Sequence, residues 1–429
     1  MERSIGIGLL GAGTVGGALV SRLIGDADAI AAKTGLTFDV RKVGVRDLTR
    51  ERPFPVTEGL LTDRLTDVID DPTVELVVEL MGGLEPAGDL VLAALDAGKP
   101  VVSANKELIA ARGPELIAAA ERTGVPFLFE AAVGGGIPII RPLSETLAGE
   151  KIDRVLGIVN GTTNFILTRM SEHGTSYIDA LSEATELGYA EPDPAADVSG
   201  ADAAAKAAIL ASLAFGTWVG FDDVFCEGIE GITALDIAFA ADFGYAVKLI
   251  AVCERTDAGV SVRVHPAMVP LDHPLASIRG TTNAIFIEGP AIESLLFAGP
   301  GAGGGPTATA VLGDMIDAAR ETLAGAQVAP RIRFSPGELI DFSEVHTEWY
   351  MRLLVDDKPG VLAKIATGFG DAGVSIKSVL QEGVDTEASL TIVTHSASER
   401  SQREALNSLR AIAEVIEVGS VIRVLRGNT

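Results

Sequence analysis

Two lysines stand where a side chain could move a proton. Lys206 lies in the apolar run Ala203-Ala204-Ala205-Lys206-Ala207-Ala208, one helical turn after Asp202. Lys106 follows Ser103-Ala104-Asn105 at the carboxyl end of a predicted strand, the edge at which open parallel sheets bind ligands. Apolar surroundings, or a second lysine nearby, disfavour an ammonium, as a proton-transfer group working near neutral pH requires. Asp202 and Lys206 read equally well as an ordinary i,i+4 helix pair, worth only about 0.2–0.5 kcal/mol.

Other arrangements for the same chemistry lack parts. A Tyr–Lys couple at i,i+4 is missing, because Tyr177 is followed by Leu181 and Tyr245 finds Lys248 at i+3. His173, His265, His273, His346 and His395 show no zinc-ligand spacing. Cys226 and Cys253 lie in apolar contexts, where inert burial is expected rather than reactivity.

The segment Gly11-Ala12-Gly13-Thr14-Val15-Gly16 follows an apolar run and opens a helical pattern. This is the GxGxxG setting. The first Gly permits the tight turn, the second lets a pyrophosphate approach the backbone, and the third allows close helix packing. Helix N-terminal amides then hold the phosphates. A dinucleotide cofactor is therefore expected at Gly11, Gly13, Thr14, Val15 and Gly16. At the end of the second strand Arg46 and Asp47 sit side by side. An acid there suits a ribose hydroxyl and an Arg suits a 2′-phosphate, so NAD and NADP both remain open.

The elements that must position these residues are legible as patterns. Ile5–Leu10, Phe38–Val45, Val74–Leu80, Pro100–Ser103 and Val125–Phe129 read as strands, with helical patterns such as Val15–Leu23 and Leu108–Glu121 between them. Strands alternating with helices predict a parallel sheet. From Ala131 the rhythm changes. Helical stretches at Thr163–His173, Tyr177–Leu187 and Gly200–Phe215 precede strand-like runs at Ala246–Glu254 and Val260–Val269, an α+β order. A helical pattern at 306–325 is expected to pack back on the first domain. Residues 326–346 mix Pro, Gly and isolated charges and read as a linker. Trp349–Leu425 reads strand, helix, strand, strand, helix, strand, with Pro359 at the first turn of its first helix.

The whole is expected to comprise an α/β Rossmann domain over 1–130, an α+β substrate and dimerisation domain over 131–305, and a ferredoxin-like domain over 347–429. Length permits this, since 429 residues suit two or three domains. The charge excludes other classes. Lys plus Arg total 34 against 59 Asp plus Glu, for a net charge of -25, which repels phosphate backbones and anionic membranes. Two cysteines make no disulfide framework. Neither a secretory leader nor a membrane span is seen in the pattern, so a cytoplasmic protein is expected.

Gly11–Gly16, Ser103-Ala104-Asn105-Lys106, Gly161-Thr162-Thr163-Asn164, Gly188-Tyr189-Ala190-Glu191-Pro192-Asp193-Pro194, Asp202–Lys206 and Gly299-Pro300-Gly301-Ala302-Gly303 occur in that order. Read together, they make the chain resemble the homoserine dehydrogenases over about residues 5–325. Trp349–Leu425, with Asp357-Lys358-Pro359-Gly360, resembles an ACT domain.

The resemblance implies reversible NAD(P)-dependent interconversion of L-aspartate 4-semialdehyde and L-homoserine, on the route to threonine, isoleucine and methionine. By position, Lys206 corresponds to the proton donor and Lys106 to a second lysine close to nicotinamide and substrate. Glu191 and Asp202 correspond to carboxylates that hold the substrate ammonium and order the site, and Gly188 to a backbone contact. Ser103 and Gly303 correspond to cofactor contacts, Gly303 in a loop that closes on the cofactor. Glu130, with the carbonyls of Val133, Gly135 and Ile137, resembles a site for sodium, a hard cation suited to oxygen ligands. The resemblance further implies a homodimer or homotetramer with threonine as effector at the ACT domain. The competing class is a non-catalytic amino-acid or redox-state sensor that keeps both ligand-binding folds.

Overall fold

The computed structural model describes residues 3–325, 331, 333–384 and 386–425. Positions 326–330 and 332 of the expected linker, and 385 and 426–429 of the expected C-terminal domain, lie outside the described residues. The chain forms two compact units. One comprises Met1–Ile152, Ala208–Asp222 and Glu288–Pro336, the other Asp153–Ala207, Asp223–Ile287 and Gly337–Thr429.

The first unit is built on six strands, β1 (Arg3–Leu10), β2 (Leu36–Gly44), β3 (Leu61–Thr62), β4 (Leu76–Glu79), β5 (Val101–Ser103) and β6 (Phe127–Leu128). They lie in the order β3-β2-β1-β4-β5-β6 and every pair is parallel. This is the doubly wound Rossmann arrangement. The two-residue β3 gives no periodic signal and was not expected from the sequence.

Alternate strand residues face opposite helical layers, as the two-residue period requires. Ile7, Leu9, Val78 and Val102 pack with Leu19 and Val20, and with Val311 and Met315 of the helix Gly304–Ala324. Leu10, Val77 and Val101 pack on the other face with Leu90, Val91, Leu108 and Leu116. Both faces are thus dry, and the free carboxyl edge of the sheet is left to bind ligands.

In the second unit, antiparallel strands Arg154–Ile158, Tyr245–Thr256 and Gly259–Pro270 carry the helices Gly161–His173 and Tyr177–Glu186. The C-terminal block has the strands His346–Asp356, Ile376–Val384, Glu387–Thr394 and Val415–Val424 with the helices Val361–Asp371 and Glu399–Arg410. Its first helix starts at Val361 after Gly360 at φ +91°, so Pro359 precedes the helix rather than filling its first turn.

The C-terminal block does not merely follow the α+β part. Strand Val415–Val424 pairs with Gly259–Pro270 through Ala267↔Arg423 and Met268↔Val424, which joins the two into one sheet. Arg423, 5% exposed in its side chain, seals that junction. It bonds Glu399 at 2.9 Å and Glu227 at 2.6 Å, and its guanidinium lies over the Trp349 ring.

Candidate active site

In the first unit, the turn after β1 holds the three glycines for three different reasons. Gly11 has φ +97°, and a Cβ built on it would stand 2.7 Å from the carbonyl of Leu80. A Cβ on Gly16 would stand 2.4 Å from the carbonyl of Gly11. Gly13 has no atom within 4 Å of that position. Its open side is the approach that a pyrophosphate needs. Thr14 and Val15 begin the helix Thr14–Gly25, whose N-terminus has no side-chain cap, so its first amides suit an anion.

Arg52, which no motif marks, ties this turn to the loop beyond β2. It donates to the carbonyls of Ala12 and Asp47, each at 2.8 Å. Arg46 is exposed at the end of β2. The Asp47 carboxylate accepts from Thr49 N at 2.8 Å and Thr49 Oγ1 at 2.7 Å, bonds that hold it below its ordinary range.

At the carboxyl ends of β4 and β5 the organiser is Glu79, which is fully buried. Its carboxylate accepts from Ser103 Oγ at 2.7 Å and Met81 N at 2.8 Å. Burial pushes this acid up, and the surrounding donors offset part of that. Ser103 Oγ in turn accepts from Asn105 N at 3.1 Å. Asn105 caps the helix Lys106–Thr123 by accepting from Leu108 N at 3.1 Å, and donates to the carbonyl of Gly83 at 2.7 Å. Lys106 therefore leaves the first residue of a helix whose start is fixed by a buried acid.

The Glu130 region closes the same unit. The Glu130 carboxylate accepts three backbone N–H groups, from Ile139 at 2.5 Å and from Ile140 and Arg141 at 2.8 Å. Its own N–H donates to Asp314 at 2.7 Å. Gly135 has φ +55°, a Cβ built on it would stand 2.4 Å from the carbonyl of Gly301, and Gly136 N donates to the carbonyl of Pro300 at 3.1 Å. Gly303 caps the helix Gly304–Ala324, and a Cβ on Gly304 would stand 3.1 Å from the carbonyl of Thr14. The Val133–Ile137 turn thus meets the loop at Gly301–Gly303, which in turn lies against the glycine turn.

In the second unit, the Lys206 side chain is 12% exposed, as is that of Asp202. Lys206 Nζ donates to Asp202 Oδ2 at 2.6 Å and to the carbonyl of Val159 at 2.8 Å. The first turns of the helix Ala201–Phe215 supply both side chains, beside the buried residues Ala203, Ala204 and Ala205. Asn160 and Asp197 complete the cluster, and neither was singled out from the sequence. Asn160 Nδ2 donates to Asp197 Oδ1 at 2.6 Å and to Asp202 Oδ2 at 2.9 Å. Burial pushes the Asp197 carboxyl up, against the pull of the Asn160 hydrogen bond.

Gly188, at φ +73°, and exposed Glu191 lie on the loop after the helix Tyr177–Glu186. Thr162 Oγ1 holds that loop through the carbonyl of Tyr189 at 2.7 Å, and the Tyr189 ring packs 5.0 Å from Phe165. The start of the helix Gly161–His173 therefore carries two contacts, Asn160 to Asp202 and Thr162 to the loop that bears Glu191. Lys106 and Lys206 belong to different units.

Among the described residues no group of three or more His, Cys, Asp or Glu could hold a metal. Cys253 is buried, and burial pushes its thiol up to about 12. Cys226 is exposed, contrary to expectation, on the two-residue strand Phe225–Cys226 that pairs with Gly259–Pro270. Partial cover by its neighbours nonetheless pushes its thiol up to about 11. Neither is a reactive thiolate. No helix among the described residues is long and apolar enough to cross a membrane.

Comparison with known proteins agrees along the whole chain. The family described as homoserine dehydrogenase matches residues 138–316, the homoserine dehydrogenase NAD binding domain matches 11–130, and the ACT domain matches 349–414. A homoserine dehydrogenase of Corynebacterium glutamicum is 46% identical over 428 residues, covering 99% of this chain and 96% of its own. The crystal structure of a homoserine dehydrogenase from Thiobacillus denitrificans superposes with a TM-score of 0.92 at 38% identity, covering 98% of each chain. A hyperthermophilic archaeal homoserine dehydrogenase solved in complex with NADPH has a TM-score of 0.60 at 29% identity, covering 76% of this chain and 100% of its own.

Proposed function

The chain belongs to the homoserine dehydrogenase family, and from that premise we propose that it reduces L-aspartate 4-semialdehyde to L-homoserine reversibly, with Lys206 as proton donor. The observation that carries this reading is the grip on Lys206, whose ammonium is held by one carboxylate and one carbonyl on a nearly buried helix. A lysine has three N–H donors, and the bonds to Asp202 and Val159 use two of them among the described residues, which leaves one to meet a carbonyl oxygen. When bound, a reduced nicotinamide supplies the hydride that the aldehyde carbon accepts. Lys206 then stabilises the charge growing on oxygen and gives it a proton, and Lys106 is assigned by the resemblance to the nicotinamide's surroundings. Glu191 and Gly188 hold the substrate's ammonium end while Asp202 keeps Lys206 in place.

Cofactor binding falls to Gly11, Gly13, Thr14, Val15 and Gly16 with Ser103 and Gly303. The open side of Gly13 suits a pyrophosphate, and exposed Arg46 suits a 2′-phosphate. Glu130, Val133, Gly135 and Ile137 are proposed to surround sodium. Since the Glu130 carboxylate is already taken by three N–H groups, its share would come from the main-chain oxygen. Sodium there supports the turn and takes no part in the chemistry.

The ACT domain is proposed to bind threonine as feedback effector at the Asp357–Gly360 turn. Its outer strand Ile376–Val384, with Val379 and Leu380 exposed, is a free sheet edge that suits pairing between copies in a homo-oligomer. The test is direct. Purified protein mixed with L-aspartate 4-semialdehyde and NADPH should lose absorbance at 340 nm and yield homoserine, and NADH in place of NADPH measures cofactor preference. A protein that binds both ligands without turnover would be a sensor instead.

A further inference from the structure

Both acids of the Lys206 cluster converge on Asn160, a residue 5% exposed. Its amide oxygen accepts from Thr163 N and Thr163 Oγ1, each at 2.9 Å, which makes it the N-cap of the helix Gly161–His173. A backbone N–H can only donate, so this bond fixes which end of the amide is oxygen. The nitrogen must face the carboxylates, and its two hydrogens meet Asp197 Oδ1 at 2.6 Å and Asp202 Oδ2 at 2.9 Å. The oxygen of Asp202 that receives Asn160 is the one that holds Lys206 at 2.6 Å. The carbonyl of the preceding residue, Val159, takes the same ammonium at 2.8 Å. One dipeptide therefore touches both members of the lysine–carboxylate pair.

We infer that Asn160 is a positioning residue for the proposed reaction: its amide fork fixes the Asp202 carboxylate against Lys206 and holds Asp197 apart as a second acid. The inference rests on Lys206 being the proton donor. Asn160 acts through Asp202 and does not itself touch the substrate. The charged groups that meet there are Asp197 from the helix Ala195–Val198, and Asp202 and Lys206 from the helix Ala201–Phe215. Two carboxylates beside one ammonium compete for it. A neutral donor shared between them removes the competition, because each acid keeps a partner while the lysine stays with one. Without the fork, Asp197 either takes a proton or draws the ammonium from Asp202, and either event moves the donor by a fraction of the distance that matters for transfer.

The test separates this role from helix capping. Ser and Asp both retain a capping oxygen, but neither supplies the two amide hydrogens. Asn160→Ser should lower kcat about ten- to a hundredfold, the scale of a misplaced catalytic group, with NADPH affinity within about twofold. The kcat–pH profile should move by on the order of one unit, as altered charge neighbours imply. Asn160→Asp should fall further, because it sets a third carboxylate against the two present; if it does not fold, Asn160→Ser alone decides. The inference is overturned if Asn160→Ser keeps the wild-type kcat and pH profile, or if both variants lose activity equally and in step with melting temperature. Wild type and Lys206→Ala are measured alongside. If they turn over alike, the reading of Lys206 fails, whereas an inactive Lys206→Ala beside a fully active Asn160→Ser removes only the role of Asn160.

Discussion

Lys206 Nζ lies 2.6 Å from Asp202 Oδ2, one turn earlier on the same helix. On an exposed helix such a pair contributes a few tenths of a kcal/mol and directs nothing. Here both side chains are nearly buried and the ammonium also binds the Val159 carbonyl. The spacing that reads as routine from the sequence thus becomes, once buried, a device for aiming an ammonium.

The glycine turn offers a separation of stability from binding. Gly16→Ala drives a Cβ into the carbonyl of Gly11, whereas Gly13→Ala meets no protein atom. Gly16→Ala should lower the melting temperature and weaken the cofactor together. Gly13→Ala should leave the melting curve nearly unchanged while NADPH affinity drops about tenfold, on the ground that only the approach of the pyrophosphate is blocked. Calorimetry and fluorescence titration on the two variants check this.

Acid should loosen the junction between the ACT strand and the neighbouring sheet. Burial would push Glu399 up, but the Arg423 guanidinium, with Thr347 and Trp349, holds it below its ordinary 4.5. A depressed carboxyl gives stability that is full above the unfolded value and is lost as pH falls through the folded one. Wild-type stability should therefore decline below about pH 4.5, and Glu399→Gln should flatten that decline. Removing one member of a buried pair costs about 3–5 kcal/mol, so Glu399→Gln should also melt earlier at pH 7.

What could be read from the sequence was whatever repeats locally. Each strand–helix step of the Rossmann sheet and of the ACT pattern, like the glycine turn, is set within about thirty residues. Glu79 escaped because nothing near it shows that Ser103 donates to it. Asn160 escaped because its partner Asp202 is distant in the chain, and a buried Asn beside a helix start reads as a cap and no more. The pairing of Ala267 with Arg423 is likewise invisible, since a parallel partner so far along leaves no periodic trace. Contacts of this kind exist only once the chain is packed.

Replacing sodium by choline at constant ionic strength tests the turn at Val133–Ile137. Melting temperature should fall by a few degrees, as loss of a ligand specific to the folded state requires, with kcat per folded enzyme unchanged. An equal melting temperature in both salts would remove the cation from the account.

Regulation is tested at the Asp357–Gly360 turn. Asp357 accepts from Gln381 Nε2 at 3.2 Å, which ties the turn to the neighbouring strand. Asp357→Ala should raise the threonine concentration for half-inhibition at least about tenfold, with uninhibited activity retained. Equal inhibition of both proteins would place the effector elsewhere.

The most direct measurement is single-turnover reduction of L-aspartate 4-semialdehyde by Lys206→Ala with NADPH already bound. Loss of a general acid should slow the chemical step by about a hundredfold or more, while the NADPH dissociation constant stays that of the wild type. A chemical step within a few-fold of wild type would contradict the assignment of Lys206 as the proton donor.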